Sequence, residues 1–184
     1  MVREMVIHTC CADCLINLIT FLHEENYISQ DSRIILLYYN PNIHPRSEYM
    51  ERLNAIKIVM KEKYSNWNMK LVVPDYKPKE FFDSVIGQKN RCLGCWTLRI
   101  GQLFQYAKEN NINYVSSTLL GSSYQDRDTI LNIAKKLESE NIKILYPQNE
   151  HECICNHGFY KQNYCGCCYS LNLKLWEKYI KQPH

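Results

Sequence analysis

The chain has 184 residues, 10 of them cysteine, with 22 Lys and Arg against 19 Asp and Glu for a formal net charge of +3. A chain of this length reads as one domain, residues 1–184, and buries enough apolar surface to fold without disulfides; 46% hydrophobic residues exclude wholesale disorder, no run approaches the roughly 18 apolar residues of a membrane span, and Met1–His8 is too briefly apolar for a signal peptide. These features point to the reducing cytoplasm, where cysteines serve as metal ligands or redox catalysts rather than bridges, and the mild positive charge permits an anionic partner without demanding one.

Met5–Thr9 reads as a short buried strand, and Leu15 to His23 has helical spacing. Ile34–Tyr39 is a continuous apolar run ended by Asn40-Pro41, as a strand covered on both faces should be. Ser47 to Lys63 reads as a long helix with Ser47 as its N-cap. Met69–Val73 is a third strand, Phe81 to Ile86 a short helix, Cys95 to Asn110 a longer one, and Tyr114–Thr118 a fourth strand. Asp126 to Ser139 is a helix, Ile142–Tyr146 a fifth strand, and the tail from Ser170 to Tyr179 is helical. Strand and helix alternate about five times, which predicts a single α/β domain with a mainly parallel sheet of about five strands. Sites in such sheets form at the carboxyl ends of the strands. That edge would carry Cys10-Cys11, Asn40–His44, Asp75 and Leu119–Tyr124.

The cysteines fall in clusters: Cys10, Cys11 and Cys14, then Cys92 and Cys95, then Cys153 and Cys155, then Cys165, Cys167 and Cys168. Cys10, Cys11 and Cys14 sit at one helix start and Cys95 at another, where the helix dipole lowers a thiol pKa. Three chemistries suit the spacing. Cys11, Cys14, Cys92 and Cys95 form two CxxC hooks of the kind that hold structural zinc. Cys10, Cys11, Cys92 and Cys95 supply the four thiolates of an iron–sulfur cluster. Cys165-Gly166-Cys167 is a candidate thiol–disulfide pair, closed across one residue into a strained and easily reduced ring. The first strand-to-helix turn, His8-Thr9-Cys10-Cys11-Ala12-Asp13, has no glycine-rich phosphate loop.

Other residues are candidates on chemistry alone. Asn40, Asn42 and His44 lie in a loop stiffened by Pro41 and Pro45 and offer directional hydrogen bonds, or simply close a turn. Glu48 and Arg52 are four apart on a helix, the spacing of an ordinary surface pair. Arg91 and Arg99 flank the CxxC as phosphate contacts or as solvated charges. Asp126 fits a helix cap and Tyr124 a base-stacking side chain. His151, Cys153, Cys155 and His157 have the composition of a metal-binding tract, or of an exposed loop.

Five ordered motifs carry a family resemblance over nearly the whole chain. They are His8-Thr9-Cys10-Cys11-Ala12-Asp13-Cys14; Tyr39-Asn40-Pro41-Asn42-Ile43-His44-Pro45 with Glu48-Tyr49 and Arg52; Arg91-Cys92-Leu93-Gly94-Cys95 with Arg99; Ser117-Thr118-Leu119-Leu120 with Tyr124-Gln125-Asp126; and Tyr160-Lys161-Gln162-Asn163-Tyr164-Cys165-Gly166-Cys167. In this order they resemble the QueH-type epoxyqueuosine reductases. The resemblance implies reduction of epoxyqueuosine to queuosine at the wobble position of tRNA, on a scaffold similar to the adenine-nucleotide hydrolase-like proteins. It also implies a [4Fe-4S] cluster and a second, mononuclear iron beside it. By motif, Cys10, Cys11, Cys92 and Cys95 become the cluster ligands. Cys165 and Cys167 become a redox disulfide or ligands of the second iron, with Cys14 as a further metal ligand. His44 and Asp126 are then candidates for catalysis or proton delivery. Asn40, Asn42, Arg52, Arg91, Arg99 and Tyr124 are candidates for substrate contacts. The implied partners are tRNA bearing epoxyqueuosine and an electron donor, with no membrane. Between Tyr146 and Tyr160 the chain is shorter than the family pattern and carries Cys153 and Cys155, which lie outside it. Two rivals from other classes are a zinc-stabilised RNA-binding module without catalysis, and a cluster-dependent tRNA sulfur transferase, whose need for ATP the missing phosphate loop does not meet.

Overall fold

The computed structural model describes residues 1–147 and 156–179. Its five strands, β1 (Glu4–His8), β2 (Arg33–Leu37), β3 (Met69–Val72), β4 (Tyr114–Ser117) and β5 (Lys143–Ile144), form one sheet in the order β3-β2-β1-β4-β5. Every pairing is parallel, with Val6 registered against Ile35 on one side and Val115 on the other. The helices are α1 (Ala12–Glu24), α2 (Arg46–Glu62), α3 (Pro78–Val85), α4 (Arg91–Glu109), α5 (Arg127–Leu137) and α6 (Cys168–Tyr179), with a 3-10 turn at Thr118–Gly121.

The apolar runs of β1 and β2 are continuous because both faces of the sheet are covered. Met5, Ile7, Ile34 and Leu36 point to one face and join Leu15, Ile19, Ile56 and Val59 of α1 and α2. Val6, Ile35 and Leu37 point to the other and join Ile100, Leu103 and Ile130 of α4 and α5. Each such Leu or Ile contributes about 1.5–3 kcal/mol by leaving water. The doubly wound parallel sheet of five strands is thus the architecture expected from the sequence. Among the described residues no helix is long and apolar enough to cross a membrane.

Several boundaries differ from the sequence reading in ways that matter for the site. α2 starts at Arg46 behind Pro45, so Ser47 lies inside the helix and caps nothing; the fixed φ of proline suits that entry position. α4 starts at Arg91, four residues earlier than expected, because the Asn90 side chain accepts hydrogen bonds from the backbone N–H groups of Cys92 and Leu93. Both cysteines of the CxxC therefore lie in the first turns of one helix. α6 begins at Cys168 rather than Ser170.

Candidate active site

The loops that leave the carboxyl ends of β1, β2 and β4 meet the segment ending in Cys165-Gly166-Cys167, and two adjoining clefts open there. Cys10, Cys11, Cys14 and Cys165 line the first, together with Arg52, Arg99, Tyr160, Lys161 and Gln162. Cys92, Cys95, Cys165 and Cys167 line the second, a cleft of about 440 Å³ that also borders Arg91, Arg99, Tyr169 and Lys174. Tyr124, Gln125 and Tyr164 belong to both walls. The sequence set of Cys10, Cys11, Cys92 and Cys95 is therefore divided between the clefts: the helix starts that carry them belong to opposite faces of the sheet, and Cys165 is the thiol common to both. Among the described residues, no three His, Cys, Asp or Glu side chains converge closely enough to grip a metal ion together.

Local structure explains why these residues are where they are. Cys11 occupies the N-cap position of α1. The backbone N–H of Cys10 donates to Thr118 Oγ1 (3.1 Å), which lies 3.3 Å from Cys10 Sγ. The Cys10 and Cys14 thiols donate to Cys11, which holds Cys11 well below the ordinary thiol pKa, while that same bond and burial push Cys10 up. In the second cleft Cys165 Sγ and Cys167 Sγ are 3.5 Å apart. Hydrogen bonds from Cys165 and Ser170 lower Cys167 to about 6, whereas Cys165 is raised. Burial pushes Cys95 up to about 11 against the pull of Arg99. Each cleft thus has one thiol disposed to be anionic beside protonated neighbours.

Two glycines in the motifs have steric causes. A Cβ on Gly94 would lie 2.1 Å from the backbone oxygen of Ser84, so glycine is what lets α4 pack directly on α3. Gly166 has φ +103°, and a Cβ there would lie 3.2 Å from the Arg52 guanidinium and from Ile43.

Of the three arginines that are candidates for substrate contacts, Arg52 and Arg99 are buried. Arg52 is 5% exposed. It pairs with Glu48 at 2.6 Å and donates to the carbonyl oxygens of Tyr164 (3.2 Å) and Cys165 (3.4 Å). Tyr160 OH donates to the other Glu48 oxygen. The Glu48–Arg52 pair is therefore no surface pair but the anchor of the Cys-Gly-Cys segment. Arg99 is 2% exposed and donates to Asn40 Oδ1 (2.8 Å) and His8 Nε2 (3.3 Å). Both face the clefts rather than the outer surface.

Asn40 is engaged on both sides, since its Nδ2 donates to the Thr9 oxygen at 2.9 Å. Asn42 lines the second cleft with its buried Oδ1 unpartnered. His44 lines neither cleft; its ring packs against Phe81 and Phe82, neither ring nitrogen has a partner, and burial lowers its pKa. Asp126 is exposed at the start of α5, where its carboxylate accepts from Thr129 N (3.0 Å) and Thr129 Oγ1 (2.8 Å), bonds that also lower its pKa. It too lines neither cleft. Arg91 and Tyr124 remain where a substrate can reach them: Arg91 lies over the Tyr169 ring at 4.3 Å, and Tyr124 is exposed on the shared lip.

Sequence reasoning gave no role to His8, which is fully buried and bonded to Ser117 Oγ (3.1 Å), nor to Asp13 and Lys161, whose charges lie 3.7 Å apart. The visible signal was position: His8 ends β1, and Asp13 sits inside the cysteine motif. His151, Cys153 and Cys155 lie outside the described residues. His157 bonds Asn17 through its ring at 3.1 Å.

A Rossmann-like α/β domain of this kind belongs to the class of open parallel sheets whose sites lie at the carboxyl edge of the strands, where the thiols of this chain gather. The family described as epoxyqueuosine reductase QueH matches residues 5–173, and the chain belongs to that family. Proteins named epoxyqueuosine reductase QueH are similar to it along most of this chain. The one from Dehalococcoides mccartyi is 29% identical over 180 residues, covering 92% of this chain and 93% of that one. That from Histophilus somni is 28% identical over 185 residues, covering 92% and 72%. That from Thermotoga maritima is 29% identical over 192 residues, covering 96% and 94%.

Proposed function

We propose that the chain is an oxidoreductase that reduces epoxyqueuosine to queuosine in tRNA, with iron bound by the thiols of the two clefts. The observation that carries this reading is the meeting of three separate cysteine motifs at one edge of the sheet in a chain of the QueH family. The donor set fits the metal: thiolates are the ligands of iron–sulfur clusters. The second cleft is lined by four, Cys92, Cys95, Cys165 and Cys167, and these are the residues we assign to a [4Fe-4S] cluster; the set expected from sequence, Cys10, Cys11, Cys92 and Cys95, takes one pair from each cleft. Cys10, Cys11 and Cys14 form a set of three for the second iron. A bound cluster supplies electrons singly at low potential.

Removing the epoxide oxygen consumes two electrons and two protons, leaves an alkene and releases water. The residues of the chain handle the base and the protons. Tyr124 on the shared lip offers a face for stacking a base, and Arg91 on the rim of the second cleft offers a guanidinium to the RNA backbone. Lys161, held beside Asp13 and lining the first cleft, presents an ammonium as proton donor there. Tyr160, Gln162 and Tyr164 close the wall and limit water.

The test pairs anaerobic iron and sulfide analysis with turnover of epoxyqueuosine-containing tRNA under dithionite. Iron, sulfide and queuosine formation are expected. A protein that holds zinc alone, and stays inactive after reconstitution with iron and sulfide, overturns the reading.

A further inference from the structure

Arg99 breaks a rule that the rest of the interior obeys. A guanidinium keeps its charge in folded proteins, and buried charges are ordinarily paired. Arg52 is paired through Glu48. Arg99, at 2% exposure, has only Asn40 Oδ1 and His8 Nε2 as hydrogen-bonded oxygen and nitrogen partners, and no carboxylate stands within ion-pair distance of it among the described residues. Neither partner is a carboxylate: Asn40 offers an amide oxygen and His8 a ring nitrogen. The ring is fixed further by contacts of Nε2 with the Tyr39 carbonyl oxygen (3.1 Å) and of Nδ1 with Ser117 Oγ (3.1 Å). His8 and Asn40 therefore aim the guanidinium without neutralising it. What faces it is sulfur: Arg99 lines both clefts, hydrogen-bonds Cys95 and acts electrostatically on Cys10.

We infer that Arg99 is the counter-charge shared by the two cysteine sets, a positioning residue that favours metal capture by both and raises the reduction potential of what they hold. Once its thiol protons are released, a divalent metal held by four cysteines forms a complex of net charge −2 and one held by three a complex of net charge −1, and a fixed buried cation beside either stabilises that product. The same cation stabilises each added electron, which is the direction of a higher potential. Only the identity of the metal rests on the proposed function; the electrostatics applies to any thiolate site.

The test compares wild type, Arg99→Lys and Arg99→Met. Metal-free protein is titrated anaerobically with cobalt(II), read by thiolate-to-cobalt absorbance, and its stability is measured in urea. Replacing an unpaired buried charge by an apolar side chain of similar length should leave the metal-free protein as stable as wild type or more so. Cobalt affinity should fall tenfold or more in Arg99→Met and be largely rescued in Arg99→Lys. Iron-reconstituted Arg99→Met should show a more negative midpoint potential than wild type. Cobalt affinity unchanged in Arg99→Met overturns the inference. So does a joint loss of metal-free stability and cobalt affinity that lysine does not rescue, since that marks a merely structural residue. If wild type proves to hold zinc and no iron, the proposed function fails while the cobalt comparison still decides the role of Arg99.

Discussion

Arg52 and Arg99 arise from helices on opposite faces of the sheet, reach the same cleft and are equally hidden from solvent, yet they stand in opposite electrostatic states. Around Arg52 every charge is answered: Glu48 takes the guanidinium, Tyr160 takes the remaining carboxylate oxygen, and the carbonyls of Tyr164 and Cys165 take further N–H groups. Around Arg99 the partners are an amide oxygen and a ring nitrogen, and the facing groups are thiols. The first arrangement fixes a loop with its charge offset by a carboxylate, although Arg52 also borders the thiols of the first cleft; the second leaves a charge beside both clefts with no carboxylate to offset it. Residue type and burial are the same in both, so the role of a buried arginine in this protein is decided by its partners.

Removing the carboxylate beside Arg52 would give it the electrostatic state of Arg99. Glu48→Gln leaves the Arg52 charge buried without its carboxylate, and removing one partner of a buried pair costs about 3–5 kcal/mol. Urea unfolding of the metal-free protein should show a loss of that size, and Glu48→Gln combined with Arg52→Met should recover most of it. A loss below about 1 kcal/mol, the range of exposed pairs, would mean that Arg52 is not held by charge and that the contrast with Arg99 is false.

A smaller effect separates the clefts themselves. Gly94→Ala drives a Cβ to within 2.1 Å of the Ser84 oxygen, so α4 must move off α3. Overpacking of this kind costs about 1–3 kcal/mol. Because Cys92 and Cys95 ride on α4 while Cys10, Cys11 and Cys14 ride on the β1–α1 turn, cobalt bound by the second set should weaken and that bound by the first should not. Equal weakening of both sets would show that they are one site rather than two joined through Cys165.

The parallel sheet was legible because β1 and β2 are continuous apolar runs of the kind a doubly covered sheet buries, and because strand and helix patterns alternate along the chain. The motifs were legible too, and their order carried the family. Their grouping was not. Spacing shows that Cys92 and Cys95 act together, but which other cysteines join them depends on α4 packing against α3 and lying beside α6, while α1 adjoins the 3-10 turn after β4. Glu48 and Arg52 illustrate the same limit: four residues apart, they look alike on a solvated helix and under a docked segment, and only the return of residues 160–166 over α2 distinguishes the cases.

The mildest test carries the contrast to the surface. Asp126, like Arg52, has its charge taken up by local partners, here the N–H and hydroxyl of Thr129. Asparagine caps a helix about as well as aspartate, so Asp126→Asn should keep both the melting temperature and the turnover of epoxyqueuosine tRNA, while Asp126→Ala should lower the melting temperature slightly at neutral pH. The folded carboxyl titrates below its unfolded value, so its stabilising contribution is present above the ordinary aspartate pKa of about 3.9 and disappears as the pH falls through the folded value. Wild type and Asp126→Ala should therefore converge in acid. If instead Asp126→Asn loses turnover more than tenfold with its melting temperature and metal content intact, the carboxyl acts as an acid in the reaction despite its engagement by Thr129, and engagement by a local partner ceases to be a guide to which charges in this protein are free to do chemistry.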